Sequence, residues 1–197
     1  MTQQTGFYAL LSRMRYISRW GLMRSSIPEN IQEHSHETAV FAHALGLIRR
    51  EILGRPCDAE RLAVLALYHD ASEILTGDLP TPIKYHDGAI RTAYKDVERL
   101  AEERLISMLP EKLRGAYRAS IRPASGDEER LIKAADKLSA LVKCIEERKA
   151  GNREFLSAEK QTRAALTAMA LPEVDWFMAN CLPAYEKDLD ELGTMNG

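Results

Sequence analysis

Apolar side chains recur at helical spacing along almost the whole chain. Over residues 7–17, Leu10, Leu11 and Met14 share one face. After a loop over 18–28 the pattern resumes, with Phe41, Leu45, Ile48 and Ile52 in a stripe at i, i+4, i+7 and i+11. Asn30 followed by Glu33 has the form of a capping box, so this helix is predicted to open there and run to about Leu53. Gly54, Arg55 and Pro56 end it, and Asp58 can cap a successor over 59–76. Gly77, Pro80 and Pro82 stop that helix, since proline has no N–H to continue the ladder. Further helices are predicted over 88–108, 111–120, 127–149, 154–169 and 174–192. No period-two strand, internal repeat or low-complexity linker interrupts them. Pro123 to Gly126 is the only weak boundary, and residues 119–129 carry no pattern that assigns them a role. The chain therefore reads as all-α, a single-domain helical bundle over residues 1–197.

Charge narrows the classes of function. With a formal net charge of −2, the chain lacks the basic excess of a general nucleic-acid-polymer binder. A small anion held by a few local arginines remains compatible with it. The 3 cysteines, Cys57, Cys144 and Cys181, are odd in number and far apart, as expected of reduced thiols in a cytoplasmic protein. No apolar run approaches the ~18 residues that a membrane span needs, and residues 1–6 carry no signal-peptide pattern.

One group of residues breaks the apolar logic. His69 and Asp70 are adjacent inside a segment that otherwise reads as a buried amphipathic helix. A carboxylate among apolar neighbours is costly unless it is paired or bound to a metal. His34 falls seven residues before Phe41, on the core-facing stripe in the first turn of its helix, and Asp136 lies beside a stripe of Leu131, Ala135, Leu138 and Val142. His34, His69, Asp70 and Asp136 together offer two imidazoles and two carboxylates, a donor set suited to one divalent first-row ion such as Co²⁺, Mn²⁺, Fe²⁺ or Zn²⁺. Glu73 follows one turn after the pair, too far along for an obvious ligand and well placed to hold a proton or a water. His36 and His43 lie on a different stripe with Val40 and Leu47, and are read as packing residues or outer-sphere partners. His86 falls in a loop, and Trp20 is as compatible with packing as with a ligand contact.

These residues and their surroundings resemble the HD superfamily of metal-dependent phosphohydrolases. Ser18-Arg-Trp-Gly-Leu-Met-Arg24, Glu33-His-Ser35, Tyr68-His-Asp-Ala-Ser-Glu-Ile-Leu-Thr-Gly-Asp-Leu-Pro-Thr-Pro82 and Ala135-Asp-Lys-Leu138 are similar to the bacterial 5′-deoxynucleotidase branch, over nearly the whole chain. The resemblance implies an all-helical, homodimeric, cobalt-supported enzyme that removes phosphate from deoxyribonucleoside 5′-monophosphates. It implies that His34, His69, Asp70 and Asp136 ligate one ion per subunit, and that Glu73 and Arg19 serve catalysis. It also implies that Arg19, Trp20, His34, Asp70, Asp78, Leu79, Pro80, Thr81 and Asp136 contact substrate. Arginine can clamp a phosphate bidentately, Asp78 can accept from a sugar hydroxyl, and Trp20 can exclude a 2′-OH. A phosphodiesterase or nucleoside-triphosphate hydrolase on the same scaffold, or a non-catalytic nucleotide-binding module, are the competing readings. The full ligand set with Glu73 weighs against the last.

Overall fold

Asn30 fixes where the first long helix begins. Its side chain accepts from the N–H groups of Gln32 and Glu33 while Glu33 Oε2 accepts from Asn30 N–H, the reciprocal box the sequence predicts. The computed structural model describes residues 4–80 and 87–194, and Thr81, Pro82 and His86 lie outside them. Short α1 (Phe7–Leu11) precedes α2 (Ile31–Leu47), and α3 (Ala59–Tyr68) and α4 (Glu73–Thr76) follow. Then come α5 (Gly88–Ser107), α6 (Glu111–Ile121), α7 (Gly126–Lys149), α8 (Leu156–Ala168), α9 (Pro172–Asn180) and α10 (Leu189–Thr194). Among the described residues there is no strand beyond a single antiparallel bridge between Ser18 and Asn30. No helix among them is long and apolar enough to cross a membrane.

The main core is built where α2, α3 and α7 meet. Phe41, Leu45, Leu62, Leu65, Leu131, Leu138 and Leu141 are all buried there, each contributing roughly 1.5–3 kcal/mol relative to exposure. Gly46 lets α2 and α3 approach: a methyl group in its place would lie 2.7 Å from both Cα and Cβ of Ala59. The helix that carries His34 is thereby held against the helix that leads to His69. A smaller cluster of Phe7, Ala71, Leu105 and Leu109 packs behind the turn that follows α3.

Four predicted helices are divided or trimmed. The first ends at Leu11 and tightens to a 3-10 turn over Ser12–Tyr16. The second widens over Ile48–Ile52, where Leu53 N–H reaches back five residues to Ile48 C=O. A wider turn rotates the stripe, so Ile52 is 49% exposed instead of buried. The predicted helix over 174–192 becomes α9, a tight turn over Leu182–Glu186 and α10, because Pro183 has no N–H to donate. The predicted helix over 59–76 is interrupted at 69–72. There the Ala66 carbonyl, which would take Asp70 N–H in a continuing α-helix, instead takes the His69 backbone N–H at 3.4 Å and the His69 ring Nδ1–H at 2.7 Å. The N–H groups of Ala71, Glu73 and Ile74 then reach back three residues instead of four.

Residues 119–129 acquire a role that the sequence left open. Arg61 donates to the Ala119 carbonyl at 3.0 Å and to Glu128 at 2.7 Å, and Ser125 caps α7. α3 thus clamps the α6–α7 connection and sets the start of the helix that carries Asp136.

Candidate metal centre

The interruption at 69–72 brings His69 and Asp70 to the surface of α3 that faces α2 and α7. His34 Nε2 stands 3.1 Å from Asp136 Oδ1 and 3.6 Å from Asp70 Oδ2, and His69 Nε2 is 3.1 Å from Asp70 Oδ2. One ligating atom each from His34, His69 and Asp136 lie within 4.8 Å of one another. The four residues read together in the sequence are therefore adjacent in space, drawn from α2, the turn after α3, and α7.

Hydrogen bonds fix which nitrogen each histidine offers. His69 Nδ1–H donates to Ala66 C=O at 2.7 Å. Ser139 Oγ donates to Glu37 Oε2 at 2.6 Å, so its lone pair accepts His34 Nδ1–H at 2.9 Å. Both rings thus keep a proton on Nδ1 and turn Nε2 toward Asp70 and Asp136, the nitrogen that a metal-ligating histidine offers once an ion takes the place of any proton there. His69 Nε2 is buried and has no directed hydrogen-bond partner. An orphaned buried nitrogen beside two carboxylates fits a divalent cation. Without an ion the charges compensate one another. Burial alone would lower the His69 imidazole, but the Asp70 carboxylate overrides it and holds it up at about 9. Burial would raise Asp70, and His69 instead holds it down at about 2. Asp136 is likewise held well below the usual carboxylate range, its burial outweighed by His34.

Arg19 and Trp20 enter from the loop before α2. The loop closes where Arg19 N–H meets Glu29 C=O at 2.9 Å and Ile31 N–H meets Ile17 C=O at 3.0 Å. Arg19 Nη1 is 3.6 Å from Asp70 Oδ2. Burial would lower the guanidinium, but the carboxylates of Asp136, Glu29, Asp70 and Asp78 raise it above its ordinary range. Trp20 has a positive φ of 57°, a left-handed backbone that costs a non-glycine residue roughly 1–2 kcal/mol. Its indole N–H donates to Glu29 Oε2 at 2.6 Å, and its ring packs 5.2 Å from that of Phe155. Packing and a polar anchor hold it in that conformation, which realises the packing alternative. Glu73 is buried at the head of α4, with its N–H on Asp70 C=O at 3.0 Å. Asp78, Leu79 and Pro80 are half-buried beyond Gly77, whose φ of 73° turns the chain out of α4.

Three residues around the centre escaped the sequence analysis. Glu29 joins Trp20, Arg19 and, at 3.8 Å, His34 Nδ1. Ser139 and Glu37 form the chain behind His34. Burial, with Glu29 and Glu146 nearby, pushes the Glu37 carboxyl up to about 7 against the Ser139 hydrogen bond. The one sequence signal for them was position: Glu37 lies three residues after His34, and Ser139 three after Asp136. His36 is exposed, so it packs against nothing in the core, because its stripe faces outward. His43 is half-buried and lies near Glu60, away from the centre.

Glu147 anchors the Arg19 loop to α7. Its buried carboxylate accepts from Ser26 and Ile27 N–H, Lys143 and Asn152. Burial would raise its pKa, yet Lys143 and these donors hold it far below the ordinary 4.5. A depressed carboxylate contributes stability above its unfolded pKa and loses it as pH falls. Glu147→Gln also leaves Lys143 buried without its charge partner, at a cost of about 3 kcal/mol. Thermal melts should show the variant well below wild type near neutrality, with the gap closing as pH drops below the ordinary carboxylate value. A gap that stays constant into acid would mean that the Glu147 charge contributes nothing.

Comparison with known proteins places this geometry. The family model described as 5′-deoxynucleotidase YfbR-like matches residues 6–185. The chain belongs to the YfbR-like 5′-deoxynucleotidase family. Relatives in the family include 5′-deoxynucleotidase VV1113 of Vibrio vulnificus, 46% identical over 192 residues that cover 96% of this chain and 99% of the relative. Another is 5′-deoxynucleotidase YfbR of Escherichia coli, 47% identical with 96% of each chain covered. The fold matches that of an HD-domain phosphohydrolase from Listeria innocua, with a TM-score of 0.78, 24% identity and 95% of each chain covered. It also matches the HD phosphohydrolase DatZ of cyanophage S-2L, solved with dA and one catalytic Zn²⁺ ion (TM-score 0.64, 22% identity, 95% of this chain and 100% of that one). The helical architecture read from the sequence is thus the HD phosphohydrolase fold.

Proposed function

We propose that His34, His69, Asp70 and Asp136 hold one divalent first-row ion in each subunit, and that Arg19, Trp20, Glu73 and Asp78 complete the active site around it. The chain is a phosphoric monoester hydrolase, a 5′-deoxynucleotidase that converts deoxyribonucleoside 5′-monophosphates to deoxyribonucleoside and phosphate. The observation that carries the site assignment is the pair of Nδ1–H histidines presenting Nε2 to two carboxylates.

A bound ion supplies Lewis acidity, which acidifies water and polarises a phosphoryl oxygen. The side chains do the rest. Arg19 is held among four carboxylates, where an entering phosphate can take over its charge and align bidentately on its fork. Glu73 holds the proton exchanged between the attacking water and the leaving 5′-oxygen. Trp20, fixed by Glu29, forms a rigid wall beside the sugar, and Asp78 accepts from a sugar hydroxyl. His34, Asp70 and Asp136 approach the phosphate from the metal side, and Leu79 and Pro80 border the nucleoside. We take cobalt, manganese or another first-row metal as the ion and a homodimer as the working form, in line with the sequence resemblance, and the cytoplasm as the compartment, in line with the three free cysteines. Exposed Ile90, Val97 and Leu100 on α5 favour the dimer.

The sugar decides the reading. A ribonucleotide places its 2′-OH against the indole, and an unpaired buried hydroxyl costs roughly 1–3 kcal/mol, or about one to two orders of magnitude in rate. Phosphate release should favour deoxyribonucleoside 5′-monophosphates by that margin over ribonucleoside 5′-monophosphates, and over 3′-monophosphates. Trp20→Ala should narrow the deoxy/ribo ratio more than it lowers the deoxy rate. Arg19→Ala should weaken both sugars together. Equal rates for both sugars, or a preference for cyclic or triphosphate substrates, would replace this reading with that of a phosphodiesterase or triphosphate hydrolase.

A further inference from the structure

The two histidines of the centre are oriented by different means. The partner of His69 Nδ1 is a backbone carbonyl, which no side-chain replacement removes. The partner of His34 Nδ1 is a side chain, Ser139, and behind it stands a second, Glu37. His34 and Ser139 are both fully buried, so water has no access to replace the bond between them. The direction of the chain is set by chemistry. In its ionised form Glu37 only accepts, so the Ser139 proton then points to Glu37, and Ser139 is left as an acceptor for His34. Thr38 Oγ1, at 3.5 Å from Nε2, is too distant to compete strongly for that nitrogen.

We propose that Ser139 and Glu37 are positioning residues that act through His34, locking it as the Nδ1–H tautomer and strengthening Nε2 as a metal donor. Glu37 lies on the far side of His34 from Asp70 and Asp136. It lines an open cavity of about 870 Å³ that it shares with Gln32, His36 and Tyr185. Among the described residues its one hydrogen bond is that from Ser139, so its link to the centre runs through Ser139 and His34. The chain makes the affinity of the centre depend on two side chains that the sequence motif does not contain. The inference rests on the metal-site reading above.

Metal affinity tests it independently of turnover. Titration of metal-stripped protein with Co²⁺ alone, followed by the visible ligand-field bands, gives both affinity and ligand geometry. Ser139→Ala removes the acceptor of His34 and should weaken Co²⁺ binding about 10- to 100-fold, the range typical of lost outer-sphere partners. Glu37→Ala should weaken it about tenfold, and Glu37→Gln, which can still accept the serine proton, should recover part of that loss. The bands should shift in Ser139→Ala, and ring ¹⁵N shifts of the Zn²⁺-loaded protein should report Nδ1–H at His34 in wild type. Matching circular dichroism and melting in all three variants separates this role from a packing defect. Wild-type Co²⁺ affinity and bands in Ser139→Ala would overturn the proposal. So would a loss in Ser139→Ala with none in Glu37→Ala, since Glu37 would then have no part. Wild-type protein that takes up no Co²⁺ would instead overturn the metal-site reading itself.

Discussion

Replacing His69 or Asp70 by alanine should remove both the bound metal and phosphate release, while the helices remain. His69→Ala removes a buried imidazole nitrogen that lacks a directed partner among the described residues. Asp70→Ala removes the carboxylate that stands against both histidines, at 3.1 Å from His69 Nε2 and 3.6 Å from His34 Nε2. Either change leaves three of the four proposed donors, and Asp70→Ala also removes one of the two carboxylate charges that would offset the lost hydration of an ion. Neither residue belongs to the apolar clusters that hold the bundle together, so folding should persist. His36→Ala is the matched control: His36 is exposed and should keep metal and activity. Metal content by elemental analysis, circular dichroism and phosphate release check the set. Normal metal content and turnover in Asp70→Ala would sink the assignment of this centre.

Glu73→Gln should keep metal and substrate binding and lose turnover. Glutamine preserves the shape of a buried side chain and removes its capacity to take or give a proton. General acid–base contributions are typically ~10²- to 10⁴-fold, so kcat should fall by that amount, about 3–5 kcal/mol of barrier. KM should change little. Glu73 sits one tight turn past Asp70, in a segment whose N–H bonds reach back three residues, so its backbone lies over that of Asp70. A collapse of metal occupancy in Glu73→Gln would make it a ligand instead and require a different proton carrier.

Much of this was legible in the chain because burial leaves a periodic record. The stripe through Phe41 and Leu45 located α2 and put His34 on its buried face, and the structure buries His34 fully. Local capping chemistry is encoded just as directly. Asn30 with Glu33, and Asp58 with Arg61 N–H at 2.8 Å, each needs only residues within four positions. The His34, His69-Asp70, Asp136 pattern was readable because ionisable groups on buried stripes are costly unless they share a purpose.

What the sequence alone determined is the set of helices, their buried faces and the donor types that those faces carry. Periodicity reports which side of a helix meets the core, and that suffices for both. Only the tertiary structure decided how the donors meet. At the break after Tyr68 one carbonyl, that of Ala66, is shared by the backbone N–H and the ring of His69, a competition that apolar spacing does not record. The close approach of α2 to α3 depends on Gly46 facing Ala59, residues 13 positions apart in the chain. Glu29, Glu37 and Ser139 look like ordinary polar positions until folding sets Ser139, 105 residues away, against His34. Such partners are chosen by distance in space, and hydrogen bonds between separate elements leave no period along a chain.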